Sequence, residues 1–80
     1  MEKQEIYERL NSIFSVVLKH PDISLSPSSS ANDVNGWTSL THMILIDEIE
    51  STFKIKFKLN EILKFNNVGD MVACIEKKLG

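Results

Sequence analysis

Apolar residues along the chain wind onto helical faces in three places, separated by one long irregular segment and one short alternating one. Between Glu2 and about Lys19, the residues Ile6, Leu10, Ile13, Phe14, Val17 and Leu18 share one face of an amphipathic helix. Tyr7 flanks that stripe, and His20-Pro21 stops it, because a residue before proline is driven out of the α region. The second helical stretch runs from Leu40 to about Phe53, and at 100° per residue it has two apolar sides. Leu45, Ile49, Phe53 and Ile46 make a core-facing stripe, with His42 at its N-terminal end. Leu40, Met43 and Ile44 lie opposite, rimmed by Asp47, Glu48 and Glu50. A helix of so small a domain does not easily bury both sides. Either the long preceding loop covers the second side, or it stays exposed as a partner surface. The third stretch has Val68, Met71, Val72, Ile75 and Leu79 on one face, with Asn67 placed to cap it and Asp70 in its first turn.

The segments between are equally informative. Residues 22–36 have no sustained period and include a serine run, yet the helix before them is too small to be a separate domain. A loop of that length inside a compact domain is usually functional or pinned down. Ile23, Leu25, Val34 and Trp37 are the expected pins, and Asn35-Gly36 reads as a turn. Ser39 then stands where an N-cap belongs, with Leu40 as the first helical residue and no Glu or Gln three positions on to complete a capping box. Lys54-Ile55-Lys56-Phe57-Lys58-Leu59 alternates like a strand but has none to pair with, so it reads as an extended connector with Ile55, Phe57 and Leu59 pointing inward. Asn60 is placed to cap a short helix over Glu61–Phe65. The predicted fold is all-α: a small four-helix bundle of three longer helices and one short one, with a long loop between the first two, forming one domain over residues 1–80.

Composition narrows the function. Eighty residues, 42% hydrophobic and 25% charged, fit one soluble domain. No apolar span of membrane length and no signal-peptide pattern is present, so the expectation is a cytoplasmic protein with no membrane partner. One cysteine, Cys74, gives no disulfide framework and no clustered metal ligands. The net charge of −2 is segregated: residues 33–53 hold Asp33, Asp47, Glu48 and Glu50 with no Lys or Arg, whereas residues 54–80 hold six Lys against Glu61, Asp70 and Glu76. The acidic block favours a basic partner surface and disfavours nucleic acid.

Two local readings of Ser39 remain side by side: an ordinary cap, and a functional hydroxyl. A hydrolase is the weakest alternative. His42 lies three residues from Ser39, but no acid is placed to orient it and no Gly-x-Ser-x-Gly elbow surrounds the serine. Its angular position instead makes His42 a semi-buried, hydrogen-bonded histidine.

Taken in order, these features resemble the acyl carrier protein family over nearly the whole chain. Thr38-Ser39-Leu40 matches the family's Asp-Ser-Leu signature. The run from Glu48 to Phe57 resembles its acidic stretch ending in Phe, and Asn67-Val68-Gly69-Asp70 resembles the opening of its last helix. The resemblance implies a non-catalytic carrier with a 4′-phosphopantetheine arm from coenzyme A on Ser39, holding an acyl or aminoacyl group as a thioester. It implies a phosphopantetheinyl transferase, a loading ligase and a downstream acyltransferase or synthase as partners, docking on Leu40, Met43, Ile44, Asp47, Glu48 and Glu50. Such a carrier acts as a monomer. Thr38 replaces the family's aspartate, a carboxylate associated with the transferase and its Mg²⁺. The alternative is therefore an unmodified, carrier-like interaction module. The weak net charge, Trp37 and the His42-Met43 pair resemble carriers of specialised pathways more than those of primary fatty-acid synthesis.

Overall fold

The computed structural model describes residues 1–80 and contains four helices: α1 (Lys3–Leu18), α2 (Ser39–Phe53), α3 (Leu59–Leu63) and α4 (Val68–Leu79). The all-α architecture read from the sequence is the one observed. Ile6, Leu10, Ile13 and Phe14 of α1 meet Leu45, Ile46, Ile49 and Phe53 of α2, with Val68, Met71, Val72 and Ile75 of α4 closing the core. Each set repeats at helical spacing, so one face of each helix is removed from water. Leu79, placed on the α4 stripe by its spacing, is the last residue of α4 and remains exposed. No helix is long and apolar enough to cross a membrane.

Helix α1 ends at Leu18, one residue short of the Lys19 that the sequence suggested. Lys19 adopts a left-handed conformation (φ 55°), and its N–H donates back to Ser15 O. Lys54 ends α2 in the same way, at φ 57°.

The loop of residues 19–38 is pinned as expected: Leu25 and Trp37 are buried, and Ile23 and Val34 pack against the core. Polar pins add to these. Asn11 of α1 accepts from the Leu25 N–H at 2.8 Å. Further along, Ser29 O and Pro27 O accept from the N–H groups of Val68 and Gly69 at 2.8 and 2.9 Å. Those two donors open α4 and have no intrahelical acceptor, so the loop supplies what the helix start lacks. Asn67 Oδ1 accepts from Asp70 N–H, as its cap role predicts, while Asp70 Oδ2 accepts from Asn66 N–H. Gly69 suits this site because a Cβ there would lie 3.0 Å from Pro27 O.

The short helix departs from the sequence expectation. It spans Leu59–Leu63 rather than Glu61–Phe65, and Lys58, not Asn60, occupies its cap position. The cap works in reverse: Glu61 Oε1 accepts from Lys58 N–H at 2.7 Å, one turn back. Starting the helix there turns Leu59 outward, at 66% exposure, whereas Ile55 and Phe57 do point inward. Alternation ends where the helix begins, and Leu59 already belongs to the helix.

Candidate functional site

Trp37 to Met43 form the junction of loop and helix. Asn35-Gly36 makes the turn, with Gly36 at φ 85°, a conformation that glycine adopts without a Cβ penalty. The cap of α2 is Thr38, not Ser39. Thr38 Oγ1 accepts from Thr41 N–H at 3.2 Å, and Thr41 Oγ1 accepts from Thr38 N–H at 2.7 Å while donating to Gly36 O. This reciprocal pair is a capping box in which threonine stands where Glu or Gln is usual. The sequence places the cap one residue late, because Thr41 is not the Glu or Gln that usually marks such a box.

The shift changes the meaning of Ser39. As the first residue of α2 it has no part in the cap, and its side chain is exposed. A primary hydroxyl thus stands free at the positive end of a helix whose first turn contains no acidic residue. Bonded phosphate is favoured at such a place, since first-turn N–H groups without intrahelical acceptors face it.

Trp37 anchors the junction from below. It is buried, packs edge-on against Phe14 of α1 with centroids 5.0 Å apart, and its Nε1–H donates to His42 Nδ1 at 3.0 Å. His42 is therefore half-buried and hydrogen-bonded, as its angular position predicts. Neither a carboxylate nor the Ser39 hydroxyl is hydrogen-bonded to it. His42 continues to Phe65 and Phe65 to Phe57, at centroid separations of 6.5 and 5.4 Å, so aromatic rings link α1 to the connector beneath the site.

A groove of about 420 Å³ opens beside Ser39. Trp37, His42 and Met43 line it from one side, with Ile62, Leu63 and Phe65 from the other. The α3 contribution was not visible in the sequence, because it depends on how the short helix crosses α2. A second depression, of about 560 Å³, follows along α2 past Leu40, Met43, Ile44 and Asp47 to Phe57 and Leu59.

The two-sided character of α2 is real. Leu40, Met43 and Ile44 are 74%, 50% and 46% exposed, so the long loop does not cover them. Asp47 and Glu48 are exposed beside them. Glu50 differs from its neighbours: it is half-buried, and its Oε2 accepts from Phe57 N–H at 2.8 Å, which ties the connector to α2.

A tight polar cluster lies farther off, between α3 and α4. Glu61 receives Lys78 Nζ at 2.9 Å and lies 3.6 Å from Cys74 Sγ. The Lys58 N–H and then Lys78 hold its carboxyl down at about 2. Burial first, and Glu61 second, push the Cys74 thiol up, which suits a structural thiol.

Comparison with known proteins agrees with these observations. A family model described as the phosphopantetheine attachment site matches residues 8–75. The chain is 33% identical over 78 residues to an acyl carrier protein of Thermotoga maritima, an alignment covering 98% of this chain and 96% of that relative. Its fold is similar to the solution NMR structure of a holo acyl carrier protein from Geobacter metallireducens, with a TM-score of 0.85 and 44% identity over 91% of this chain and 84% of that one. The chain therefore belongs to the phosphopantetheine-attachment family of acyl carriers, whose prosthetic group is 4′-phosphopantetheine.

Proposed function

We propose that Ser39 is the attachment point and that the chain is a single, non-catalytic carrier domain. The observation that carries this reading is the division of labour at the α2 start: Thr38 and Thr41 do the capping, and the Ser39 hydroxyl is left free. In the modification, Ser39 Oγ bonds to the phosphorus of coenzyme A that bears pantetheine. The pyrophosphate bridge breaks, the nucleotide half leaves, and the serine proton passes to solvent or a base of the transferase. When bound, the arm supplies a terminal thiol that holds an acyl group as a thioester. The chain's own residues root it: Ser39 by the ester bond, the α2 N-terminus by favouring the phosphodiester, and the adjoining groove by offering apolar walls to the arm.

Leu40, Met43 and Ile44 are the docking patch for enzymes that modify, load and unload the carrier, and Asp47 and Glu48 recruit basic residues around it. Glu50 contributes charge from a fixed position, since one oxygen already holds Phe57. A loading ligase and a downstream acyltransferase or synthase are the partner classes that this chemistry requires. The balance of acidic α2 against the lysine-rich C-terminal third, and the Trp37-His42 pair at the site, support service in a specialised pathway with an acyl or aminoacyl load.

Intact mass after co-expression with a promiscuous phosphopantetheinyl transferase tests the assignment. The wild-type chain gains one arm and Ser39→Ala gains none. A wild-type chain left unmodified while Thr38→Asp is modified would identify a carrier-like interaction module that has lost the carboxylate needed for recognition.

A further inference from the structure

The groove beside Ser39 is lined by an imidazole whose second nitrogen the fold leaves unpaired. Trp37 Nε1–H can donate only to an unprotonated Nδ1, so neutral His42 carries its proton on Nε2. Nε2 has no protein partner, yet no side-chain nitrogen or oxygen in the chain is both buried and unpaired. It therefore reaches solvent, and the opening that His42 lines is the groove it shares with Ser39. The walls around it are mostly apolar, which strengthens a hydrogen bond made there. The imidazole cannot turn away easily: Trp37 holds one edge, and Phe65 lies against the ring.

We propose that His42 Nε2–H is a specificity donor for an acceptor oxygen of the group rooted at Ser39, and that Trp37 is its positioning residue. Residues three apart on a helix have Cβ atoms about 5–6 Å apart. The first hydroxyl and amide oxygens of a pantetheine arm on Ser39 fall within that reach. An oxygenated acyl group whose arm folds back along the groove presents the same chemistry. Either way the groove selects for an oxygen acceptor part-way along an otherwise apolar occupant, and the arm lies towards α3 instead of pointing away. This inference rests on the Ser39 reading.

The test uses the full chain, isotope-labelled, in four forms: unmodified, carrying the bare arm, and carrying butanoyl or 3-hydroxybutanoyl on the arm. Intact mass reports the state of Ser39. Imidazole nitrogen shifts report the tautomer, and cross-relaxation between the His42 ring protons and the ligand reports contact. The expected result is the Nε2–H tautomer throughout, with contacts to His42 and a downfield Nε2–H proton in the bare-arm form if the arm's own oxygen is bound. Those signals arise only in the 3-hydroxybutanoyl form if the cargo's oxygen is bound. In Trp37→Phe the backbone spectrum keeps its dispersion, but His42 becomes a mixture of tautomers and the contacts weaken. His42→Phe abolishes retention of the arm in the groove, and His42→Gln, which can both accept from the indole and donate, restores it. Ser39 modified by mass but no His42 contact in any form, or an Nδ1–H tautomer, overturns the inference and leaves the Ser39 assignment standing. Failure to gain the arm overturns both.

Discussion

At residue scale the pivotal pair is Thr38 and Ser39. In the sequence, both are small hydroxyl residues at the start of one helix, and either fits an N-cap. Only the reciprocal bonds to Thr41 separate their roles, and a threonine in the third position carries no strong sequence signal for such a box. Thr38→Ala should cost about 1 kcal/mol of stability by removing the Oγ1 acceptor for Thr41 N–H. Thr38→Asp should match the wild type or exceed it slightly, since a carboxylate both caps and suits the helix dipole. Ser39→Ala should change stability by no more than about 0.5 kcal/mol, being outside the cap. Chemical denaturation of the three unmodified variants checks all of this. An equal loss for Ser39→Ala and Thr38→Ala would contradict the division of roles. Glu61 is the second residue with a distinct signature. Its carboxyl is held at about 2 against an ordinary 4.5, first by Lys58 N–H and then by Lys78, so the fold favours the charged form. The sign follows: its contribution is complete above about pH 4.5 and is lost as pH falls towards 2. Melting temperature measured across that window should fall more steeply for the wild type than for Glu61→Gln.

At the scale of elements, the three longer helices were legible because each repeats apolar residues over several turns, and the packed faces are the ones that the spacing selects. The short helix begins two residues before its sequence expectation. Five residues make barely more than one turn, too few for a period to declare itself, and the alternation of Ile55 and Phe57 extends onto Leu59, which already belongs to the helix. The long loop was legible only through its apolar pins. Its hydrogen bonds to α4 depend on where Pro27 and Ser29 point their carbonyls, which no side-chain pattern encodes. Those bonds give Gly69 its meaning. Alanine in a helix is favoured over glycine by about 1 kcal/mol, yet here its Cβ would press on Pro27 O at 3.0 Å and on Asn67 Oδ1 at 3.3 Å. Gly69→Ala should therefore be net destabilising by about 1 kcal/mol, and amide exchange at Val68 and residue 69 should accelerate relative to the middle of α4. A stabilised Gly69→Ala would show that the loop yields freely and does not strap the helix. Asn11→Ala attacks the strap's other end, leaving the Leu25 N–H without its acceptor, and should cost about 1–3 kcal/mol.

At the scale of the whole molecule, the exposed side of α2 and the segregation of charge belong together. A chain of net charge −2 exerts little long-range pull as a whole, but its acids are concentrated around residues 33–53 and its lysines lie beyond. A basic partner of the kind proposed would therefore meet a local field, with the apolar patch inside it. The two contributions separate experimentally because salt screens only one of them. Asp47 and Glu48 are exposed rim charges, so reversing both to Lys should slow association with a phosphopantetheinyl transferase by roughly tenfold at low ionic strength. That deficit should vanish near 1 M salt, where the screening length is about 3 Å. Leu40→Ala and Met43→Ala act differently. Both side chains already face water in the free carrier, so stability should move by no more than about 0.5 kcal/mol. In the docking role proposed for them, each would bury its apolar surface only in the complex, so each should weaken that complex by about 1–2 kcal/mol, and the loss should persist at high salt. Stopped-flow association and equilibrium titration across ionic strength distinguish the two patterns. If the charge reversals lose affinity equally at all salt concentrations, the acids act by direct contact; if the apolar variants bind normally, docking lies off the exposed face of α2.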